Sequence, residues 1–433
     1  MKRTAIAVAC LARTTFDYEE ARLMYRQTRA QLESRQMVDW IFWDDLVISP
    51  EDASRAAEAL AAALPDGLIL ISGTFHLGHL ALALRKAVAA PVLLWAPEEP
   101  PANGGKIRLN SVCGVNLDAS NLYKAGADDY CCHVGGAVDE DWLNAIRMRA
   151  ALRRAHVGLA GYRADGFFNL SVSDAQLYER CGVLLDHYEL SDLTRPFPGE
   201  FSAQGLSQLF DCGGLTKSQC EKTAALANAL AHFMGAQRLD ALALRCWPEF
   251  ADIYGIAPCA AMSLLAAKGL CIGCEGDVEG TLTLLALRAL QEEPAFLADL
   301  SQLDLPGNRA LLWHCGVAAH NLWDGESPRA LDTYFAGGRG VTAGFVLRPG
   351  PVTIARIDTA RGVTRLFLQA GEALPTKKEL TGTYTWARFA RPAEELFGLV
   401  TQNGLAHHVA MLYGDHTAAL KTFARVMGFS LLE

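Results

Sequence analysis

The sequence predicts an α/β protein with two Rossmann-like, doubly wound domains followed by a β-rich, barrel-like C-terminal domain. Short apolar runs alternate with stretches of helical periodicity as far as about residue 300, and the alternation stops there. The chain has 433 residues, of which 51% are hydrophobic and 20% charged, so it can bury more than one core. We place the domains at residues 1–154, 155–300 and 301–433.

The first domain alternates predicted strands with predicted helices, which is typical of a parallel sheet with helices on both faces. Ser49 suits the cap of the second helix, and Pro50 suits its first turn. The strands and helices are, in chain order, Ala5–Cys10, Tyr18–Leu32, Val38–Trp43, Pro50–Ala63, Gly67–Ser72, His79–Val88 and Pro91–Trp95.

The second domain repeats this pattern, with a glycine-punctuated loop over residues 161–167 after its first strand. A helix begins at Asp174, and Gly269 stops the helix before the last strand. The other predicted elements are Val157–Ala160, Val183–Tyr188, Thr216–Gly235, Leu242–Trp247, Pro258–Ala267, Leu270–Cys274 and Thr281–Leu290. The alternation again predicts a parallel sheet.

The third domain has a different texture, because Gly and Pro turns separate its apolar runs. Thr353–Asp358 and Thr364–Leu368 are typical of antiparallel strands, and Thr417–Met427 is a closing helix.

Composition and charge exclude several classes of protein. The net charge of −9 and the lack of a Lys/Arg stripe argue against nucleic acid as a partner. No apolar run is long enough for a membrane span, and Ala5–Cys10 is too short for a signal sequence. Together with twelve cysteines, this predicts free thiols in a reducing cytoplasm. The CxxC spacing of Cys271 and Cys274 has no matching second pair, which favours buried, reduced cysteines.

Familiar cofactor and nucleophile motifs are missing from the sequence. No GxGxxG loop follows a strand, so two doubly wound units are expected without a nucleotide cofactor. No GxxxxGK[ST] or GxSxG motif occurs either. Catalysis by a cysteine nucleophile stays open, although nothing singles out one cysteine.

Two acids follow neighbouring predicted strands of the second domain. Glu249 comes after Leu242–Trp247, and Asp277 comes after Leu270–Cys274. Ligands of open α/β sheets bind at the carboxyl edge, where adjacent strands lie about 5 Å apart, so both acids can reach one cation. Surface loop acids are the simpler alternative. The segment 275–280 favours a cation, because it packs three mutually repelling acids between glycines.

Histidines in the third domain complete the candidate metal site. Hard oxygen ligands and one imidazole suit Mn²⁺ or Mg²⁺. If His407 and His408 lie in a strand, they point to opposite faces, so one can bind the ion while the other hydrogen-bonds a substrate. An exposed or core-satisfied histidine pair is the alternative. His314 stands at another strand end and is by itself more often structural.

The first domain offers weaker candidates for binding a polyol. Arg13, Trp95 and Asn110 lie at or near strand ends. Aromatic walls with polar edges suit sugars, although ordinary loop residues would give the same pattern.

Together these segments resemble the L-fucose isomerase / L-arabinose isomerase superfamily, in its shorter fucose-isomerase-like branch. The resemblance covers most of the chain and also fits the order of the three domains. The chain is shorter than the fucose isomerases proper, which leaves the sugar open. The residues that carry the likeness are Trp247-Pro248-Glu249, the run from Cys274 to Val278, the run from Trp313 to Gly316, the run from Pro349 to Arg356, and His407-His408.

The resemblance implies a metal-dependent aldose–ketose isomerase that assembles as a trimer or hexamer, with a neighbouring subunit's first domain closing the pocket. The ion would be Mn²⁺, or another divalent cation such as Mg²⁺ or Co²⁺. Glu249 and Asp277 would be both metal ligands and the proton-transfer pair, with His408 as the third ligand. His407 would contact the sugar, and His314 would be a substrate contact or a fourth ligand.

The resemblance also implies supporting roles for Glu275 and Glu279, and a reaction through a cis-enediol. Several alternatives stay open. One is an isomerase of an anionic, for example sulfonated, hexose, with Arg13, Arg163 or Arg356 facing the anion. Others are a metal-dependent aldolase or epimerase and a non-catalytic sugar-binding or sensing protein.

Overall fold

The computed structural model describes residues 3–35 and 37–433. The chain forms two compact units. The first comprises Met1–Ala150 and Ala418–Gly428, and the second comprises Ala151–Thr417 and Phe429–Glu433. Of the helices within the described residues, none has the length and apolar character needed to cross a membrane.

The first unit contains a five-stranded sheet in the order β2-β1-β3-β4-β5, with every strand pair parallel. The strand β3 is buried along its whole length, as expected for a sheet covered on both faces. The strands are β1 (Thr4–Leu11), β2 (Val38–Val47), β3 (Gly67–Ser72), β4 (Val92–Ala96) and β5 (Tyr130–Val134), and the helices are α1 (Tyr18–Glu33), α2 (Pro50–Ala62), α3 (His79–Ala87), α4 (Ser111–Lys124) and α5 (Glu140–Arg153).

The second unit begins with a four-stranded parallel sheet in the order β7-β6-β8-β9. Its strands are short, and two of its helices, α10 and α11, are apolar and mostly buried. The strands are β6 (His156–Ala160), β7 (Leu184–Tyr188), β8 (Ala241–Leu244) and β9 (Cys271–Gly273), and the helices are α6 (Asp174–Cys181), α7 (Ala203–Leu209), α8 (Lys217–Ala236), α9 (Glu249–Tyr254), α10 (Cys259–Ala267) and α11 (Val278–Arg288).

The rest of the second unit is built on a closed antiparallel barrel. Six strands pair in the ring β16-β11-β10-β17-β14-β15, and the pairing of β15 with β16 closes it. The strands are β10 (Phe296–Asp304), β11 (Arg309–His314), β12 (Ala330–Asp332), β13 (Thr342–Val346), β14 (Gly350–Ala360), β15 (Val363–Ala373), β16 (Thr383–Phe389), β17 (His408–Tyr413) and β18 (Ser430–Leu432), and the remaining helices are α12 (Ala393–Gln402) and α13 (Thr417–Met427), of which α13 falls almost wholly within the first unit.

The predicted fold class is confirmed: two parallel sheets of Rossmann-like organisation precede a closed β-barrel. The cap predicted for α2 is present. The Ser49 side chain accepts a hydrogen bond from the Asp52 backbone amide, and the Asp52 carboxylate accepts one from the Ser49 backbone amide. The prediction did not include α4, β5 and α5, although the structure forms them. The domain boundaries proposed at residues 154 and 300 stay a prediction.

Candidate metal and sugar site

The two acids predicted from the sequence follow neighbouring strands, as expected. In the second unit β8 and β9 pair in parallel, with Ala241 opposite Cys271. The strand β8 ends at Leu244, earlier than the predicted Trp247, and Glu249 is the first residue of α9. Asp277 caps α11, where its carboxylate accepts the Gly280 amide at 2.9 Å.

The barrel brings three polar side chains to one level on neighbouring strands. In the antiparallel register, Asp299 of β10 lies opposite His408 of β17 on one side and opposite Trp313 of β11 on the other. His314 follows Trp313 as the last residue of β11. The rings of His314 and His408 are 5.4 Å apart between centroids. Strand register therefore holds the histidines close together.

Glu275 connects the turn after β9 to these histidines. Its Oε2 lies 3.2 Å from His407 Nε2 and 3.4 Å from His408 Nε2. Its Oε1 accepts a hydrogen bond from Trp247 Nε1 at 3.3 Å. Burial alone would raise the pKa of this carboxyl, but the His407 hydrogen bond and the charges of His408 and His314 lower it below its usual value. The group is therefore an anion at neutral pH.

Three of these side chains have the arrangement of a metal site. One ligand atom each from Glu275, His314 and His408 lies within 4.8 Å of the other two. The Nε2 atoms of His314 and His408 are buried and have no hydrogen-bond partner within the described part of the chain. Unpaired buried polar atoms are costly, and a divalent cation would satisfy both nitrogens and the carboxylate. The residues therefore fit a metal ion.

A second group offers an alternative for the same histidine. Ligand atoms of Asp299, His407 and His408 also lie within 4.8 Å of one another. Because His408 belongs to both groups, the two arrangements share one imidazole. The site is thus rich in N and O donors, which suits first-row divalent cations.

Asp277 lies behind His408 and is paired with an arginine. Both residues of the Asp277–Arg356 pair are buried, with N···O distances of 2.7 Å and 3.1 Å. The Asp277 Oδ2 atom also lies 2.9 Å from His408 Nδ1, which leaves His408 Nε2 directed away. Burial would raise the pKa of Asp277, but Arg356 and His408 outweigh it and hold the pKa well below the usual value. Asp277 is therefore ionised at neutral pH, and its carboxylate orients the His408 ring.

The other predicted acid, Glu249, is paired differently. Its Oε1 is bound by Arg245, which lies in the loop between β8 and α9. Its Oε2 is buried and lacks a hydrogen-bond partner among residues 3–35 and 37–433. Glu249 follows Trp247, whose indole contacts Glu275. Its predicted role as a ligand stays a prediction, as does that of Asp277.

The histidine doublet differs from the expectation of opposite faces. The rings of His407 and His408 are only 4.2 Å apart between centroids, and both contact the same oxygen of Glu275. The reason is that β17 begins at His408, so His407 precedes the strand and strand alternation does not apply to it. His407 is partly exposed and His408 fully buried, which still suits one for a substrate and the other for an ion.

Buried thiols lie next to the candidate site. Cys246 Sγ is 3.0 Å from Cys274 Sγ, and Cys259 Sγ is 3.5 Å from Cys315 Sγ. Cys274, His314 and Cys315 also offer closely spaced ligand atoms. All twelve cysteines are free, as predicted for the CxxC pair and the others.

The three predicted sugar contacts of the first domain lie in the first unit. Trp95 is 1% exposed, and its Nε1 donates to the Gly135 carbonyl at 2.8 Å, so it is largely a core residue. Asn110 has a left-handed backbone conformation before α4, and its backbone N–H donates to Glu99 Oε2 at 3.0 Å. The Arg13 amide donates to Thr74 Oγ1 at 2.8 Å. Their roles in binding stay predictions.

Several contributors to the site were not singled out from the sequence. Glu275 had only a supporting role, and its positive φ of 61° could not be predicted from its residue type. Asp299 has a weak signal as an acid in an apolar strand. Phe167 and Asn169 come from the loop after β6, where Phe167 packs on His407 and Asn169 Nδ2 lies 3.1 Å from His407 Nδ1. No local motif marks such a long-range contact.

A buried glutamate beside the site makes stability depend on pH. Glu279 is 5% exposed, and its Oε1 has no hydrogen-bond partner among the described residues. Burial raises its pKa to about 7, against the opposing charge of Arg356. Its ionisation therefore destabilises the folded state as the pH rises from the unfolded pKa of 4.5 to above 7.

Replacing Glu279 with glutamine is expected to stabilise the protein at pH 8 by about 1–3 kcal/mol and to change little at pH 4, since the variant has no charge to bury. Urea unfolding at both pH values measures the difference. The exposed Glu326→Gln variant is the control and should follow the wild type. A Glu279→Gln variant that is equally shifted at both pH values would contradict the raised pKa.

Comparison with known proteins adds to this geometry. Residues 313–433 match the family model described as "L-fucose isomerase, C-terminal domain". The sulfoquinovose isomerase of Priestia megaterium is 27% identical over 442 residues, covering 99% of this chain and 98% of the relative. Sulfoquinovose isomerases of Alkalicoccus urumqiensis (25%, 98% of both chains) and Clostridium sp. strain MSTE9 (28%, 85% and 87%) are also similar.

A solved solute-binding protein from Agrobacterium vitis, bound with α-D-tagatopyranose, covers 58% of this chain and 79% of its own. Its TM-score of 0.18 and identity of 12% are too low to bear on fold or function.

Proposed function

Because this chain belongs to the fucose isomerase-like superfamily and is an aldose–ketose isomerase, we propose that its substrate is a sulfonated hexose, sulfoquinovose. The full-length similarity to several sulfoquinovose isomerases supports this substrate over an unspecified neutral sugar. A sulfonated hexose is also among the alternatives that the sequence leaves open. The observation that carries the chemistry is the convergence of Glu275, His314 and His408.

We propose that these three side chains hold a divalent ion, with Mn²⁺ first and Co²⁺ or Mg²⁺ as substitutes. A mixed set of two imidazoles and one carboxylate suits such an ion. When bound, the ion polarises the sugar carbonyl and stabilises the negative charge that develops on it. Asp277 fixes the His408 ring through the 2.9 Å contact with Nδ1, so that Nε2 stays available.

The isomerisation also needs a group that moves a proton between C2 and C1 of the sugar through a cis-enediol. We propose Glu249 for this role, because its Oε2 is buried and unpaired among the described residues while Arg245 holds Oε1. Asp277, the other predicted member of the pair, has both oxygens occupied by Arg356, His408 and Gly280. We therefore assign it to orientation, and the partly exposed His407 to a sugar hydroxyl.

The proposal extends to where the enzyme works and how it assembles. Twelve free cysteines suit the reducing cytoplasm. A trimer or hexamer, as implied by the family resemblance, can be tested by light scattering after size-exclusion chromatography.

Metal removal tests the proposed function. Protein treated with EDTA is expected to lose isomerisation of sulfoquinovose, and Mn²⁺ should restore it more fully than Mg²⁺. Ketose formation and exchange of the C2 proton in D₂O measure the reaction. A panel with D-glucose, L-fucose and L-arabinose tests the choice of sugar. If the protein binds sulfoquinovose but forms no ketose and exchanges no C2 proton with any of these metal ions, it would instead be a sensing protein.

A further inference from the structure

We propose that Arg163 binds the sulfonate group of the substrate and thereby selects an anionic sugar, an inference that rests on the proposed function. A sulfonate is a permanent anion with three acceptor oxygens, and the planar guanidinium of arginine is suited to bind two of them at once.

The 161–170 loop is fixed against the turn that carries Glu275. The Ala164 amide donates to the Glu275 carbonyl at 3.1 Å. Gly276, with a φ of 71°, has no room for a side chain, because a Cβ there would lie 2.3 Å from the Tyr162 carbonyl oxygen and 2.7 Å from the Arg163 Cα. The backbone of Arg163 therefore contacts the segment that holds the candidate metal ligand.

The same loop also forms a wall beside the partly exposed histidine. The Phe167 ring lies 5.2 Å from the His407 ring and 5.9 Å from the Trp247 ring, edge to face in both cases. Asn169 Nδ2 donates to His407 Nδ1 at 3.1 Å. A sugar that contacts His407 would thus lie beside this loop.

The guanidinium of Arg163 is held by aromatic rings and not by acids. It lies 5.0 Å from the Tyr162 ring centre and 5.1 Å from the Phe168 ring centre, and both rings are exposed. Arg163 makes no ion pair with any carboxylate in the described chain, and its Nε lacks a hydrogen-bond partner there. Cation–π contacts therefore engage the guanidinium, while no carboxylate competes with a ligand for its N–H groups.

The other arginines close to the site are already neutralised. Arg356 is buried and bound to Asp277 through two N–H groups, so it cannot turn toward a substrate without breaking that pair. Arg245 is bound to Glu249. Of Arg163, Arg245 and Arg356, whose backbones or side chains adjoin the segments that form this site, Arg163 is the one without a carboxylate partner among the described residues, so its charge is available to an anionic sugar.

A comparison of charged and neutral sugars tests the assignment. In Arg163→Met we expect the KM for sulfoquinovose to rise about 10- to 100-fold with kcat little changed, because a charge-assisted contact is lost. The constants for D-glucose, as substrate or as competitive inhibitor, should stay within about two-fold. Arg163→Lys should recover part of the affinity, and the exposed Arg195→Met variant should behave as wild type.

The outcomes separate this inference from the proposed function. If the wild type isomerises sulfoquinovose but Arg163→Met leaves its KM unchanged, or weakens both sugars equally, Arg163 does not bind the sulfonate. A wild type that isomerises only neutral sugars overturns the proposed substrate, and this assignment with it. Thermal melting of both Arg163 variants shows whether they are folded. If Arg163→Met does not fold, the KM of Arg163→Lys for sulfoquinovose, compared with its constants for D-glucose, provides the test.

Discussion

Glu275→Gln is expected to abolish sugar isomerisation and to lower the affinity for the divalent ion by at least about 100-fold. The carboxylate is the proposed anionic ligand, and its Oε2 lies within 3.4 Å of the nearest nitrogens of His407 and His408. A neutral amide of the same shape keeps the turn but removes the charge that attracts the ion. Metal content by mass spectrometry and ketose formation are the two readouts.

The exposed Glu326→Gln variant, which should keep both metal and turnover, is the matched control. Glu249→Gln separates the two assignments of the acids: loss of turnover with retained metal supports Glu249 as the proton-transfer group. Loss of metal would instead support Glu249 as a ligand, as the family resemblance implied. Full metal content and activity in Glu275→Gln would contradict the proposed site.

Arg356→Met is expected to destabilise the protein by about 3–5 kcal/mol, because it leaves the buried carboxylate of Asp277 without its cation. Both residues are 1% exposed, so water cannot replace the lost charge. Urea unfolding at pH 7 measures the loss. The exposed pair of Arg339 with Asp252, 2.6 Å apart, gives the control, since Arg339→Met should cost no more than about 1 kcal/mol.

The pH dependence of this effect has a defined sign. The pKa of Asp277 is held below its ordinary value of 3.8, so its contribution is present above that value and is lost as the pH falls below it. In Arg356→Met burial is no longer opposed by the arginine, so the pKa of Asp277 should be higher than in the wild type. The difference in stability between the wild type and the variant should therefore be largest at pH 7 and shrink as the pH falls and the variant's carboxyl is protonated. An Arg356→Met variant as stable as the wild type at pH 7 would contradict the expectation that the Asp277 carboxylate needs this arginine.

Much of the fold could be predicted because its signals are local. The apolar runs that became β8 and β9 and the cap of α2 depend on neighbouring residues. The ends of elements were less accurate: β8 ends at Leu244 because the chain turns there to begin α9 at Glu249. The closure of β15 on β16 could not be predicted, since it depends on register between distant strands.

The candidate site was predictable in outline and not in its contacts. Residue types and strand order pointed to acids and the histidine doublet, but 79 positions separate Asp277 from its partner Arg356. The ion pair of this arginine with Asp277 could not be predicted from the sequence. The left-handed turn that places Glu275 next to the histidines could not be predicted either. Such long-range pairing is decided by packing, which no local pattern encodes.

The closed barrel has a consequence for how this chain could change its substrate. A ring of six strands has no open edge along which a strand can slip, so the spacing of His314, Asp299 and His408 is set by the barrel as a whole. The 161–170 loop, by contrast, is attached to the small parallel sheet and touches the site from outside the ring. On the proposed assignment, substitutions in that loop would change the choice of sugar while the three candidate metal ligands keep their places. The barrel residues of the candidate site and the loop proposed to select the sugar could therefore evolve independently.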